Sequence, residues 1–155
     1  MRPTALDETT LTKIRELVEA NFGSRDELYA AADSLNDEDR ERVCRRLAEH
    51  LAGHAAELQQ VLAASRSDPA GPLDIDEIVA PLFESIKAQR GAAGVLEVAE
   101  EAQRDLKRGY DRAIEETPAQ EAEGLLRSQR DEVEFGERVL RSMKCSEDER
   151  ESDSE

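Results

Sequence analysis

Four long stretches of the chain place apolar residues three and four positions apart, and this spacing constrains the fold more than any other feature. In the first stretch the pattern runs through Leu11, Ile14, Leu17 and Val18. A period near 3.6 residues aligns such side chains along one side of an α-helix. Ala, Leu, Glu and Arg, all good helix formers, dominate the composition, and Trp is absent. The sequence therefore predicts an all-α protein whose amphipathic helices pack through their apolar faces.

Turn signals divide these helices into two hairpins. The first predicted helix begins at residue 7–10 and ends at Ser34, and the second ends near Ala64 after an acidic first turn. The turn between them is short, so the two helices must be antiparallel neighbours. The third helix is predicted to follow Gly91-Ala92-Ala93-Gly94 and to end near Glu116. The fourth is predicted to begin at Thr117-Pro118 and to reach about Lys144.

A long connection joins the two hairpins. Residues 65–74 contain two prolines and a glycine, which predicts a loop. A shorter crossover helix follows from Asp74, and Pro81 inside it is expected to kink or divide it. Two hairpins joined by one long crossover form an antiparallel four-helix bundle of the ferritin-like type. The predicted parts are a flexible N-terminus (1–8), a bundle domain (9–144) and a disordered acidic tail (145–155).

Charge and cysteine content restrict the partners and the compartment. Asp and Glu number 37 against 21 Lys and Arg, which gives a formal net charge of −16. A field of this sign repels phosphates and anionic headgroups, so neither a nucleic acid nor a membrane is an expected partner. No run approaches the roughly 18–20 apolar residues of a membrane span, and the first ten residues lack a signal-peptide core. Cys44 and Cys145 form no CxxC, so free thiols in the cytoplasm are expected.

Polar side chains interrupt the apolar stripes of all four helices at similar heights. In two antiparallel helices, residues at equal counts from the connecting turn lie at equal height along the bundle, because each residue adds about 1.5 Å to a helix. Buried polar groups in such a layer must be hydrogen-bonded, paired or bound to a metal. We expect Arg25 to pair with an interior carboxylate. The predicted polar core layer consists of Asn21, Arg25, His50, Gln103 and Gln129.

A carboxylate metal site is the chemistry that this pattern could hold. Di-iron bundles use a Glu from each of two helices and Glu-x-x-His from each of the other two. Here His54-x-x-Glu57 has the reversed order, and Gln103 stands three residues after Glu100, where the His would be. In a chain that is 37% charged, a Glu at helical spacing more often lies on a solvated face. The candidate ligands, for iron or manganese, are Glu27, His54, Glu57, Glu100 and Glu132. No catalytic residue is predicted, since two histidines on one helix form no nucleophilic triad.

The chain resembles a bacterial ferritin-like family of unknown function, the DUF2383 family. The resemblance rests on the first hairpin, from Leu11 to Leu58, and on Leu96-Glu97, Glu100 and Leu106-Lys107 with Tyr110 in the third helix. It covers about residues 10–143 and implies a ferritin-like bundle without a settled activity. The family's recurrent acidic positions match Glu27, Glu57 and Glu100. The chain departs from the family at Gln103, where an acid is expected, and in the fourth helix, which has no histidine.

Two interpretations of function follow, from different classes. The first is a non-enzymatic cytoplasmic bundle, structural or stress-related, that self-associates through Ala-rich helix faces, with a homodimer as the expected assembly. The second is a di-iron or di-manganese carboxylate protein that stores metal or performs an oxidation. A metal site predicts stabilisation by Fe²⁺ or Mn²⁺ that is lost when the ligands are removed, whereas a structural polar layer predicts no response to metal.

Overall fold

Four α-helices make up almost all of the residues that the structure describes. This structure, a computed structural model, describes residues 7–65, 76–116 and 120–153. The helices are α1 (Glu8–Ser34), α2 (Glu38–Ala64), α3 (Asp76–Glu116) and α4 (Gln120–Asp153). No strand occurs in these ranges, so the all-α prediction is confirmed. The predicted loop at 65–74 and the predicted helix start at Thr117-Pro118 lie outside them, apart from Ser65.

Side-chain caps fix where the first two helices begin. The carboxylate of Asp7 accepts a hydrogen bond from the backbone N–H of Thr10 over 2.8 Å, and α1 starts at the next residue. Asp37 accepts from the backbone N–H groups of Asp39 and Arg40 over 3.0 and 3.2 Å at the start of α2. Such caps satisfy N–H groups that have no partner within the helix, and each is worth about 1 kcal/mol. The predicted bounds of the first hairpin are therefore confirmed.

The backbone of α3 is interrupted at Gly91 and not at Pro81. Residues 76–90 are helical, whereas Gly91 has φ 72° and ψ −169°, a conformation that L side chains rarely adopt. The chain folds back there, and a Cβ on Gly94 would lie only 2.4 Å from the Cβ of Arg90. The predicted kink at Pro81 is not confirmed. The sharp reversal falls at Gly91, where the sequence predicts the start of the third helix and where glycines permit both the positive φ and the close approach of the two segments.

Contacts between the helices establish their directions. Lys13 at the start of α1 pairs with Glu116 at the end of α3 over 3.0 Å, and Asp33 at the end of α1 pairs with Arg45 near the start of α2. α1 is therefore antiparallel to both α2 and α3. α4 is antiparallel to α3, and it meets α2 at His54 and near Leu47. Since α2 and the part of α3 after Gly91 run in the same direction, the end of α2 and Gly91 lie at opposite ends of the four-helix bundle.

The core is aliphatic and α4 is longer than predicted. The largest buried side chains include Ile14, Leu58, Leu96 and Leu126, which follow the apolar stripes of the sequence. α4 continues to Asp153, beyond the predicted end at Lys144. The segment predicted as a disordered tail is therefore helical through residue 153. Glu and Arg are frequent in it, and these good helix formers extend an existing helix without needing a new nucleus.

Candidate functional site

A chain of hydrogen bonds crosses the middle of the bundle and joins all four helices. Asn21 of α1 donates through Nδ2 to the hydroxyl of Tyr110 on α3 over 2.8 Å. That hydroxyl donates to Oε1 of Gln129 on α4 over 2.6 Å. Gln129 donates through Nε2 to the backbone carbonyl of His54 on α2 over 3.2 Å. All four residues are buried, so these bonds replace those that water would have made. We call this set of residues the polar layer.

Tyr110 is the member of the polar layer that the sequence did not identify as such. The sequence predicted a core tyrosine with a satisfied hydroxyl, and it assigned the α3 position of the layer to Gln103. Gln103 is also buried, but its Nε2 has no hydrogen-bond partner in the described part of the chain. Tyr110 occupies the height of Asn21 because α3 runs antiparallel to α1. Its place on the inward stripe of α3 was the signal available in the sequence.

Two predicted members, Arg25 and His50, lie outside the polar layer. Arg25 donates through Nε and Nη2 to the neighbouring carboxylate of Asp26 over 2.9 and 2.7 Å, and its guanidinium lies 4.8 Å from the centre of the Phe22 ring. Asp26 is buried, so the expected pairing of Arg25 with an interior carboxylate is made within α1 itself. His50 is exposed and lies beside Phe135 of α4.

Glu100 belongs to a cluster of two acids and two arginines between α3 and α4. Arg104 donates to Glu100 over 3.0 Å and to Glu137 over 3.2 Å. Arg141 donates to each of the same carboxylates over 2.9 Å. The two glutamate side chains are only 5% exposed, whereas the arginines reach solvent. Two guanidinium groups therefore engage Oε1 of Glu100, an oxygen that a metal at this position would have to share with them. The signal for this cluster was the i, i+4 spacing of Glu100 to Arg104 and of Glu137 to Arg141.

Glu27 lies away from both groups, in a cleft of about 580 Å³ between α1 and α3. Burial raises its pKa above the ordinary range, and the negative charges of Asp105 and Asp26 add to the effect. No basic side chain forms an ion pair with Glu27 in the described part of the chain. A carboxylate in this environment is destabilised in its charged form.

His54 and Glu132 are the two candidate ligands that the structure brings together. His54 Nε2 contacts the Glu132 carboxylate across the α2–α4 boundary, and its Nδ1 has no partner among the described residues. Glu57 is exposed one turn further along α2. Across the described ranges no group of three or more His, Cys, Asp or Glu side chains could hold a metal ion. The five predicted ligands are thus distributed over three places, and they do not fit a two-metal carboxylate site as one donor set.

Burial also controls the acidity of two core groups. Desolvation raises the pKa of the Tyr110 hydroxyl, the hydrogen bond from Asn21 partly opposes this, and the charges of Glu57 and Glu132 add smaller upward effects. Desolvation likewise raises the pKa of the Cys44 thiol to about 12. Both groups are therefore neutral in the folded protein near pH 7. A neutral phenol suits a hydrogen-bonding role, and a protonated buried thiol is a poor nucleophile.

Comparison with protein-family models, with curated proteins and with solved structures finds no match to this chain. The resemblance to the DUF2383 family accordingly stays a prediction from the residues alone. Within the described residues, none of the helices is both long enough and apolar enough to cross a membrane.

Proposed function

We propose that this protein is a non-enzymatic, self-associating bundle of the ferritin-like type, in which the polar layer has a structural role. The observation that carries the proposal is the hydrogen-bond chain from Asn21 through Tyr110 and Gln129 to His54. It links the four helices in the core of the bundle, the part in which di-iron bundles hold their metals. Amides and a phenol hydroxyl, which are poor ligands for iron, make these bonds.

The directions of the helices support the ferritin-like part of the proposal. α2 and α3 are parallel, and the helix pairs in contact are α1 with α2, α3 with α4, α1 with α3 and α2 with α4. A single long connection must therefore join the two hairpins. This is the connectivity of bundles with one crossover. The free thiols Cys44 and Cys145 support a reducing compartment such as the cytoplasm.

Self-association is supported by the surface of the bundle. Phe135 is 64% exposed, and it is the large apolar side chain that the described surface leaves uncovered. Aromatic residues are enriched at protein interfaces. The direct test is sedimentation equilibrium of the full chain at micromolar concentrations. A mass of two or more chains is expected, and a single-chain mass at about 100 μM, in the weak range of protein association, would contradict the proposal.

A second candidate function, metal binding at the bundle edge, rests on the contact between His54 and Glu132. These two side chains would provide an imidazole and a carboxylate donor for one ion such as Mn²⁺, an ion that accepts both kinds of ligand. The candidate predicts a rise in melting temperature with Mn²⁺ that is absent in Glu132→Gln. The first proposal predicts the same melting temperature with and without the ion in both proteins.

A further inference from the structure

Four exposed residues of α2 form one continuous stripe, which is complementary to a second copy of itself that runs in the opposite direction. Arg46, His50, Gly53 and Glu57 are all exposed. They are spaced four, three and four residues apart, so they lie within a narrow arc on one side of the helix. We call them the α2 stripe. The midpoint between Arg46 and Glu57 is also the midpoint between His50 and Gly53, so the two pairs share one centre.

The charged ends of the α2 stripe have no partner among the described residues. Neither Arg46 nor Glu57 makes a hydrogen bond or an ion pair there. Most other arginines in the described ranges are paired, including Arg45, also on α2, with Asp33 of α1. The two free charges have opposite signs and lie about 16 Å apart along the helix axis. A surface that repeats the stripe in the opposite direction would satisfy both charges.

The centre of the α2 stripe can accommodate a close helix. A Cβ added to Gly53 would meet no atom within 4 Å, so nothing in the single chain requires glycine there. Glycine in the interior of a helix costs about 1 kcal/mol relative to alanine. A flat position of this kind lets a neighbouring backbone or ring approach closely, as small residues do at helix–helix contacts. The His50 side chain is the group of the stripe that would fill such a position.

Phe135 supplies an apolar group beside the α2 stripe. It lines a surface depression together with His50, Asp131 and Glu132. Its ring therefore borders the stripe from α4. A partner that covers the stripe would also remove this ring from water, and burying a phenylalanine side chain contributes about 1.5–3 kcal/mol.

We propose that a second copy of this chain docks on the α2 stripe about a two-fold axis. The α2 helices of the two copies then run antiparallel, Arg46 of each copy faces Glu57 of the other, and each His50 faces the other copy's Gly53. Phe135 of each copy packs at the edge of the contact. A two-fold axis brings the same patch of both copies into contact. Because the two residue pairs of the stripe share one centre, such an axis through that centre brings each residue opposite the other member of its pair. The inference rests on the proposed self-association and specifies its surface.

Charge reversal tests this pairing in the full chain. Arg46→Glu and Glu57→Arg should each raise the dissociation constant of the dimer at least tenfold, because symmetry makes each change place two like-charged pairs in contact. The double variant restores opposite charges and should return the constant to within about threefold of the wild type. The matched control is Arg112→Glu, an exposed arginine on α3 with no ion pair among the described residues, which should leave the constant unchanged.

Gly53→Leu provides an independent variant. Its side chain has open space in the single chain, so the melting temperature of the monomer should be kept or raised while the dimer is lost. Sedimentation equilibrium distinguishes the outcomes. A dimer that is insensitive to these variants, or that the double variant fails to restore, would overturn the proposed surface and leave self-association standing. A wild-type chain that is monomeric would overturn both.

Discussion

The hydroxyl of Tyr110 is the single atom on which the polar layer depends most, and Tyr110→Phe removes it without changing the shape of the ring. It accepts from Asn21 over 2.8 Å and donates to Gln129 over 2.6 Å. The variant therefore leaves one N–H of Asn21 and the Oε1 of Gln129 without a partner in a buried environment. The ring still fills its space, so no cavity adds to the effect.

The size of the loss follows from these two groups. A buried polar group without a partner costs about 1–3 kcal/mol, which gives about 2–6 kcal/mol for two. The hydroxyl itself no longer has to be desolvated, and this reduces the expected loss to roughly 1–3 kcal/mol. The triple variant Asn21→Leu, Tyr110→Phe, Gln129→Leu removes all three polar side chains together. It should be more stable than the single variant, because replacing both partners of a hydrogen bond by apolar groups is nearly neutral.

Urea unfolding followed by circular dichroism measures both variants against the wild type at pH 7. Repetition at alkaline pH adds a second readout. The unfolded tyrosine ionises near pH 10, whereas burial raises the pKa of folded Tyr110. The folded state then holds more protons than the unfolded state, so stability falls as the pH rises above about 10. This fall should be smaller in Tyr110→Phe. A loss below about 0.5 kcal/mol at pH 7, the range of ordinary surface substitutions, would refute the idea that the layer holds the helices together.

Three further predictions concern other buried groups. Glu27→Gln should raise the urea midpoint at pH 7 and have little effect at pH 4. The reason is that the raised pKa of Glu27 makes the folded state favour the protonated form. An equal or lower midpoint at pH 7 would show that the carboxylate is stabilised. In a thiol-reactivity assay the exposed Cys145 should react in the native protein, and Cys44 should react only after unfolding. Cys44 is buried and its pKa is raised to about 12. Rapid modification of both thiols would contradict the structure. Replacing Arg104 and Arg141 together by Met should lower the urea midpoint, because the buried carboxylates of Glu100 and Glu137 lose their partners. Adding Glu100→Gln should recover part of this loss in the same unfolding assay.

Local signals made the first hairpin predictable. The period of the apolar residues and the acidic caps specify α1 and α2 to within a residue or two, because both act within one helical turn. Glycines also placed the start of the third helix after Gly91–Gly94, where the chain does reverse, whereas the predicted break at Pro81 is not found. The need for a positive φ at one glycine is set by how the two segments pack. The end of α4 differs from the prediction for another reason, since the Glu- and Arg-rich end of the chain continues the helix to Asp153.

The candidate site was predictable only in part. Equal height along antiparallel helices correctly drew attention to Asn21 and Gln129, because height depends on residue counts from a turn. Which side chain of α3 meets them depends on the rotation of that helix, and the sequence pointed to Gln103 where the structure has Tyr110. The engagement of Glu100 by Arg141 also joins residues on different helices. Such contacts follow from the packing of the bundle and not from local pattern.

Metal content tests the central claim, that the polar layer is structural, most directly. Protein purified without chelator and without an affinity metal is analysed for its elements and then titrated anaerobically with Fe²⁺ while the melting temperature is followed. The account predicts no stoichiometric iron or manganese and the same melting temperature throughout the titration. One to two ions per chain, the occupancy of ferritin-like carboxylate sites, lost in the Glu57→Ala, Glu100→Ala double variant, would contradict it and show a metal centre in the bundle.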